Sequence, residues 1–285
     1  MGCIVMKKWK ITLAQLAPMT LNVHKNAQRA ATLMGDCVKS GSKLLVLPEL
    51  YLTGYNISRE IKEKVKKERL KNDISVALSA LRKQSIDTGV DLMISYPLFE
   101  NDAPPYIALE YIGCGRSLGL HKKINLCNYA QYTEHLHFQA GSEIVTASSE
   151  SATAGLFICE DLWHITNAIF ATKLGAEVLF YPSAATVVNK EDGKTCFDNW
   201  KKLTVGTAFS QTSFVVCCNQ ASNNSEYYFG GSHVISPTGD VLLSLPLFDE
   251  AVADVELDAE ILDQVRSMRP LIANERFDVY RKYLS

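Results

Sequence analysis

Apolar residues fall along this chain in short runs, separated by longer stretches in which they recur every three or four positions. Trp9 to Leu16 (WKITLAQL) reads as a strand, and the polar stretch Asn22 to Lys39 after it reads as a helix. Gly41 ends that helix, because glycine tolerates the left-handed cap conformation. Lys43 to Leu47 (KLLVL) is an apolar run of strand length, as expected of a strand covered on both faces, and it stops at Pro48-Glu49. Asp73 to Thr88 predicts a second helix, Val90 to Tyr96 a strand, and PPYIALEYIG with RSLGLHKK a hairpin.

The second half repeats the theme. Ala154 to Cys159 (AGLFIC) predicts a strand, Ile165 to Leu174 a helix closed by Gly175, and Glu177 to Tyr181 another strand. Asn199 to Gln211 predicts a helix feeding the strand Ser213 to Asn219. Gly230-Gly231-Ser232 opens a strand (HVIS), and Pro237-Thr238-Gly239-Asp240 is a turn before VLLSL. Ala251 to Val255 closes the sheet region, and a polar tail containing Arg269-Pro270 follows. The run Ile61 to Lys71 (IKEKVKKERLK) mixes Lys with Glu, which predicts a solvated helix face rather than a basic binding patch. No linker or low-complexity segment interrupts the pattern, so residues 1–285 are expected to form one domain. Hairpins mixed with β-α alternation favour a layered α/β sandwich over a purely parallel sheet.

Composition narrows the function classes. Hydrophobic residues make up 47% and charged residues 21% of the 285, an ordinary globular balance. The net charge of -2 gives no global attraction to nucleic acid or to an anionic membrane. No apolar run approaches a membrane span and no signal-peptide core is present, so a cytoplasmic chain without nucleic-acid or membrane partners is expected. Met1-Gly2-Cys3 begins like a lipidation site, but Met6 stands where that pattern requires Ser or Thr. The eight cysteines include no CxxC pair and no Cys/His zinc spacing, so no metal is expected. Most read as small buried apolar residues in a reducing compartment.

Three places put a reactive side chain where an apolar strand ends, a position that fixes a group while the next loop opens space. In LLVLPELYLTGY, Glu49 follows a strand and Pro48. Its carboxylate serves equally as a helix-start or salt-bridge group, or as a desolvated general base. In LGLHKKINL, Lys122 and Lys123 point to opposite faces of an extended chain, so one can enter a site while the other meets solvent. In AGLFICEDLW, Cys159 sits at the polar end of its strand before Glu160-Asp161 and Trp163. Helix-start amides and a nearby cation would favour its ionisation there, and the following N–H is placed to bind an oxyanion.

Together these segments resemble the nitrilase, or carbon–nitrogen hydrolase, superfamily. PELxxTGY is matched by Pro48-Glu49-Leu50 with Thr53-Gly54-Tyr55, RKxxL by Lys122 to Leu126, and ICxD by Ile158-Cys159-Glu160-Asp161. GGSHVISPTGDVL and the tail RPLIANERFDVY extend the likeness over nearly the whole chain. The resemblance implies an αββα sandwich, a Glu49-Lys123-Cys159 triad and no cofactor. It also implies that subunits pair into a homodimer or larger homo-oligomer. KINLCNYAQYTEHLHFQAG and ICEDLW are similar to the glutaminase domains of glutamine-dependent NAD synthetases. That likeness adds Glu134 as a supporting acid, with Tyr55, Glu160 and Trp163 as substrate-binding or supporting residues. Lys122 replaces the usual arginine, Glu160 an aromatic residue, and Cys127 a proline.

The implied reaction is hydrolysis of a small amide through a thioester on Cys159, releasing ammonia or an amine. The implied substrate is glutamine or another ω-amide. The alternatives are an N-carbamoyl amine, a subunit that supplies ammonia to a separate synthetase partner, and a non-catalytic scaffold. Rival readings are a metal held by His135 and His137, and a Cys159–His164 dyad; both lack a completing motif.

Overall fold

The computed structural model describes residues 6, 8–101, 103–129, 132–223 and 226–283, without the side chains of 59 and 60. The Met1-Gly2-Cys3 segment lies outside the described residues. The first half contains β1 (Trp9–Gln15), α1 (Val23–Ser40), β2 (Leu44–Val46), α2 (Ser58–Lys62), α3 (Lys64–Thr88), β3 (Asp91–Leu98), β4 (Tyr106–Gly113) and β5 (Arg116–Lys122). The second half begins with β6 (Val145–Ser148), β7 (Thr153–Leu156), α4 (Ile165–Lys173), β8 (Val178–Ser183), β9 (Thr186–Val187) and α5 (Gly193–Gln211). It continues with β10 (Phe214–Asn219), β11 (Tyr227–Tyr228), β12 (His233–Ile235), β13 (Val241–Ser244) and β14 (Ala251–Leu257). Helices α6 (Ala259–Met268), α7 (Leu271–Asn274) and α8 (Phe277–Tyr280) follow.

Two six-stranded mixed sheets form, in the orders β14-β1-β2-β3-β4-β5 and β13-β12-β10-β8-β7-β6. Each has a parallel centre, β1-β2-β3 in one and β7-β8-β10 in the other, flanked by antiparallel strands. Period-two burial then dictates the layers. Ile11 and Leu13 of β1, Val178 and Phe180 of β8, and Phe214 and Val216 of β10 meet in a core between the sheets. The alternate residues face outward. Leu45, Leu92 and Ala108 pack under α1 and α3. Leu179, Tyr181, Val215 and Cys217 pack against Trp200 and Ala208 of α5 and Ala168 of α4. The result is an αββα sandwich.

Three expectations shift. The Lys/Glu run does not stand apart from the helix at 73–88: it begins at the end of α2, and from Lys64 onward α3 carries both. Leu70, Ile74, Ala77 and Leu81 give α3 one buried stripe, and the charges take the remaining faces. Helix α5 starts six residues before the expected Asn199. The tail is not merely polar. Asp258 caps α6 by accepting from the Glu260 N–H at 2.9 Å, and Leu262 and Val265 are buried. Arg266 fastens α6 down through the Thr212 and Ala176 carbonyls, at 3.0 and 2.8 Å. Its apolar positions are few and interleaved with Glu260, Asp263 and Arg266, so the pattern was easily read as loop.

The core between the sheets should dominate stability. Phe180 is fully buried and lies edge-on to Trp9 with centroids 5.8 Å apart. Phe180→Ala is expected to cost about 3–5 kcal/mol by urea unfolding. Val65→Ala, at an 83% exposed position of α3, should stay within about 0.5 kcal/mol. Similar costs at the two positions would contradict the layer assignment.

Candidate active site

Strands β2, β3 and β5 run in one direction, as do β7, β8 and β10, and the loops leaving them converge at one end of the sandwich. Glu49 follows β2 by three residues. Leu50 next to it takes a left-handed φ of 50°, and its N–H donates to Ser95 Oγ at 2.9 Å. Gly54 closes that turn at φ 76°; a Cβ there would stand 3.2 Å from the Thr20 backbone, so only glycine fits. Lys123 directly follows β5, its N–H donating to Ile107 O at 2.9 Å. Lys122 turns the other way, pairing with Glu100 at 2.8 Å and lying 4.4 Å over the Tyr106 ring.

Cys159 departs from expectation in one respect: the strand ends at Leu156, and Cys159 opens a 3-10 turn (Cys159–Trp163) at φ 47°. A left-handed backbone is costly for a residue with a Cβ, so the surroundings must hold it there. Asp161 does much of this. Its carboxylate accepts the N–H groups of Ile158 (3.1 Å) and Asn125 (2.8 Å) and pairs with His121 Nε2 at 2.9 Å, all deep in the protein. It thereby joins the cysteine turn to the lysine loop.

The sequence-predicted residues converge. Lys123 Nζ donates to Glu49 Oε1 at 2.8 Å and to Glu134 Oε1 at 2.7 Å, with all three side chains buried. Glu134 is further held by the Cys127 N–H at 2.8 Å and by the Tyr55 hydroxyl, which donates to Oε1. Glu49 Oε2 accepts from the Ala184 N–H at 2.9 Å, and Cys159 lines the same cavity as this carboxyl. Glu160 accepts from the Tyr129 hydroxyl at 2.8 Å. Trp163 packs edge-on to Trp200, centroids 6.3 Å apart. A cavity of about 120 Å3 is lined by Glu49, Tyr55, Glu134, Cys159, Glu160 and Trp163 among others.

Electrostatics give these groups unequal characters. Burial pushes the Glu49 carboxyl up to about 7, with Lys123 opposing and Glu134 assisting. Burial would lower Lys123, but Glu49 and Glu134 hold it well above the ordinary lysine value. Burial and the neighbouring Glu49 push the Cys159 thiol well above its usual range against the pull of Lys123. Burial therefore opposes the ionisation of Cys159 expected at the turn start and favours the thiol.

The supports are harder to find in the sequence. Asp161 shows there only as the last residue of the Ile158 to Asp161 motif, and Asn219 and Gln220 lie where β10 ends. Asn219 Oδ1 accepts the Ala185 N–H at 2.8 Å, and Gln220 Nε2 donates to the Glu49 carbonyl at 2.8 Å. Two amides ending a Val/Cys-rich strand were the available signal. His164 turns to Glu160 at 3.8 Å, and His135 Nδ1 to Asn128 at 2.6 Å. Among the described residues no group of three His, Cys, Asp or Glu gathers in a metal-binding arrangement, and no helix is long and apolar enough to cross a membrane.

A buried Glu-Lys-Glu cluster beside a cysteine on an αββα frame is the arrangement of an amide-cleaving cysteine hydrolase. The carbon-nitrogen hydrolase family model matches residues 10–267, and the chain belongs to that family. A glutamine-dependent NAD(+) synthetase of Thermotoga maritima is 26% identical over 90% of this chain, which spans only 43% of that protein. An N-carbamoylputrescine amidase of Solanum tuberosum is 27% identical, covering 96% of this chain and 95% of its own. The crystal structure of a carbon-nitrogen hydrolase from Helicobacter pylori G27 shares the fold, with a TM-score of 0.87 at 21% identity. It covers 98% of this chain and 99% of its own.

The raised Glu49 carboxyl makes folding pH-dependent. The folded chain keeps a proton that the unfolded chain releases once pH passes 4.5, so this group's stabilisation is lost as pH rises to about 7. The loss is about 3 kcal/mol. Urea unfolding between about pH 4.5 and 7.5 should show Glu49→Gln gaining on the wild type by that order. Parallel pH curves would remove Glu49 as the cause.

Proposed function

We propose that Glu49, Lys123 and Cys159 hydrolyse the C–N bond of a small amide. The observation that carries this reading is Cys159 on one cavity with a carboxyl pushed up to about 7, which holds the Lys123 ammonium on Oε1. As the sulfur attacks the carbonyl carbon, Glu49 takes the thiol proton. The developing oxyanion is met by Lys123 Nζ and by the N–H of Glu160, one of the first amides of a helical turn, which have no partner inside it. Glu49 then passes its proton to the leaving nitrogen, and ammonia or an amine departs, leaving a thioester. Water attacks the thioester, Glu49 takes its proton, and the acid leaves as the thiol re-forms. Glu134 and Tyr55 keep the lysine in place throughout.

The chain acts as one cytoplasmic domain. Helices α4, α5 and α7 leave Phe170, Leu174, Phe209 and Leu271 exposed on one outer face, which suits pairing of two copies. The likeness to part of an NAD synthetase favours a second reading, in which the released ammonia passes to a separate synthetase partner.

Ammonia release should be measured against ω-amides, N-carbamoyl amines and nitriles. Cys159→Ala is expected to lose about a thousandfold or more, and a variant as active as wild type would remove the nucleophile assignment. After rapid quench, intact-protein mass should show an acyl adduct on Cys159. Because the base must be ionised, kcat/KM should rise with pH through about 7 and lose that limb in Glu49→Gln. Sedimentation should find a dimer that Phe170→Glu disrupts.

A further inference from the structure

The wall of the catalytic cavity carries a one-sided charge. None of the described residues lining it is Lys, Arg or His, whereas Glu49, Glu134 and Glu160 all line it. The neighbouring cation, Lys123, is already shared between Glu49 and Glu134 at 2.8 and 2.7 Å. It has no further carboxylate to seek, and the cluster it forms does not become positive. A substrate carboxylate entering here would meet acids and find no unshared cation, a penalty that grows as water is excluded.

The rest of the lining favours the opposite charge. Trp163, Trp200 and Phe229 form a continuous edge-to-face wall, with centroids 6.3 and 5.9 Å apart. Tyr129 and Tyr132 stand edge-on to each other at 6.5 Å on the same cavity. Aromatic faces are electron-rich and attract ammonium groups. Glu160 is 7% exposed and held by the Tyr129 hydroxyl on Oε2. Its Oε1 has His164 Nε2 at 3.8 Å, beyond hydrogen-bond length.

We infer that this cavity selects small amides or carbamoyl amines whose far end is an ammonium group, with Glu160 as counter-charge, and rejects those ending in a carboxylate. The inference deepens the hydrolase reading above and rests on it for the word substrate. It sets an ω-amide ending in a carboxylate alone, one of the substrates expected from sequence, behind an amine-bearing one.

The test uses three amides of similar size: 4-aminobutanamide, pentanamide and succinamate. Calorimetric binding to the full chain carrying Cys159→Ala reads charge selection without needing turnover. 4-Aminobutanamide is expected to bind at least about tenfold more tightly than succinamate, with pentanamide between them. Adding Glu160→Gln should shrink the cation-to-anion ratio about fivefold or more; reading the ratio cancels effects common to all three ligands. Trp163→Leu, at a half-exposed position, should lower the cation-to-neutral ratio and serves should Glu160→Gln fail to fold. Tighter or equal binding of succinamate, binding of none of the three, or ratios unmoved by both substitutions would overturn the inference. Ammonia release by wild type is read separately. Charge selection without turnover would sink the hydrolase reading and leave the selectivity standing.

Discussion

A lysine ammonium with no access to water is the constraint around which this site is built. Lys123 is fully buried, and a bare charge there would be prohibitive. Glu49 and Glu134 remove that cost only if each stays within hydrogen-bond reach, which they do at 2.8 and 2.7 Å. The three residues come from the end of β2, the end of β5 and the loop before β6. The ion cluster is therefore also a clasp on the end of the sandwich. Tyr55 and the Cys127 N–H hold Glu134 in turn, the first on Oε1 and the second on Oε2.

The clasp decides where protons sit. Burial is what pushes both Glu49 and Cys159 towards their protonated forms, with Lys123 opposing and the neighbouring acids assisting. A cysteine beside a lysine alone would be a standing thiolate. Here burial and the nearby carboxylates outweigh the lysine, so in the proposed reaction the nucleophile forms only as Glu49 accepts its proton.

Much of this was legible in the sequence, for a physical reason. Short apolar runs buried on both faces announce a layered sheet. Glu49 and Cys159 end such runs, yet each also has an ordinary structural reading there, and it is the ordered motifs that join them and choose Lys123 over Lys122. Asp161, Asn219 and Gln220 did not stand out, because they act by binding backbone of distant segments, as when Gln220 reaches the Glu49 carbonyl. Sequence spacing carries no trace of such a bond. Helix α6 was missed for a related reason: its tether, Arg266, bonds to carbonyls at positions 176 and 212 rather than to its own helix.

The pocket lay beyond sequence reading on the same principle, and its composition is where the structure adds most. Trp163 came with the resemblance, but Tyr129, Trp200 and Phe229 belong to three other segments, each with an ordinary packing explanation when viewed alone. Brought together they make an apolar wall that is indifferent to the reacting amide and sensitive to what hangs from it. Reactivity and selection are thus divided. In the proposed reaction the Lys123 ammonium, shared by two acids, turns its remaining N–H to the carbonyl, which leaves a charge at the substrate's far end to other groups. That task falls to the wall, and there the only formal charge outside the cluster, among the described lining residues, is the carboxyl of Glu160.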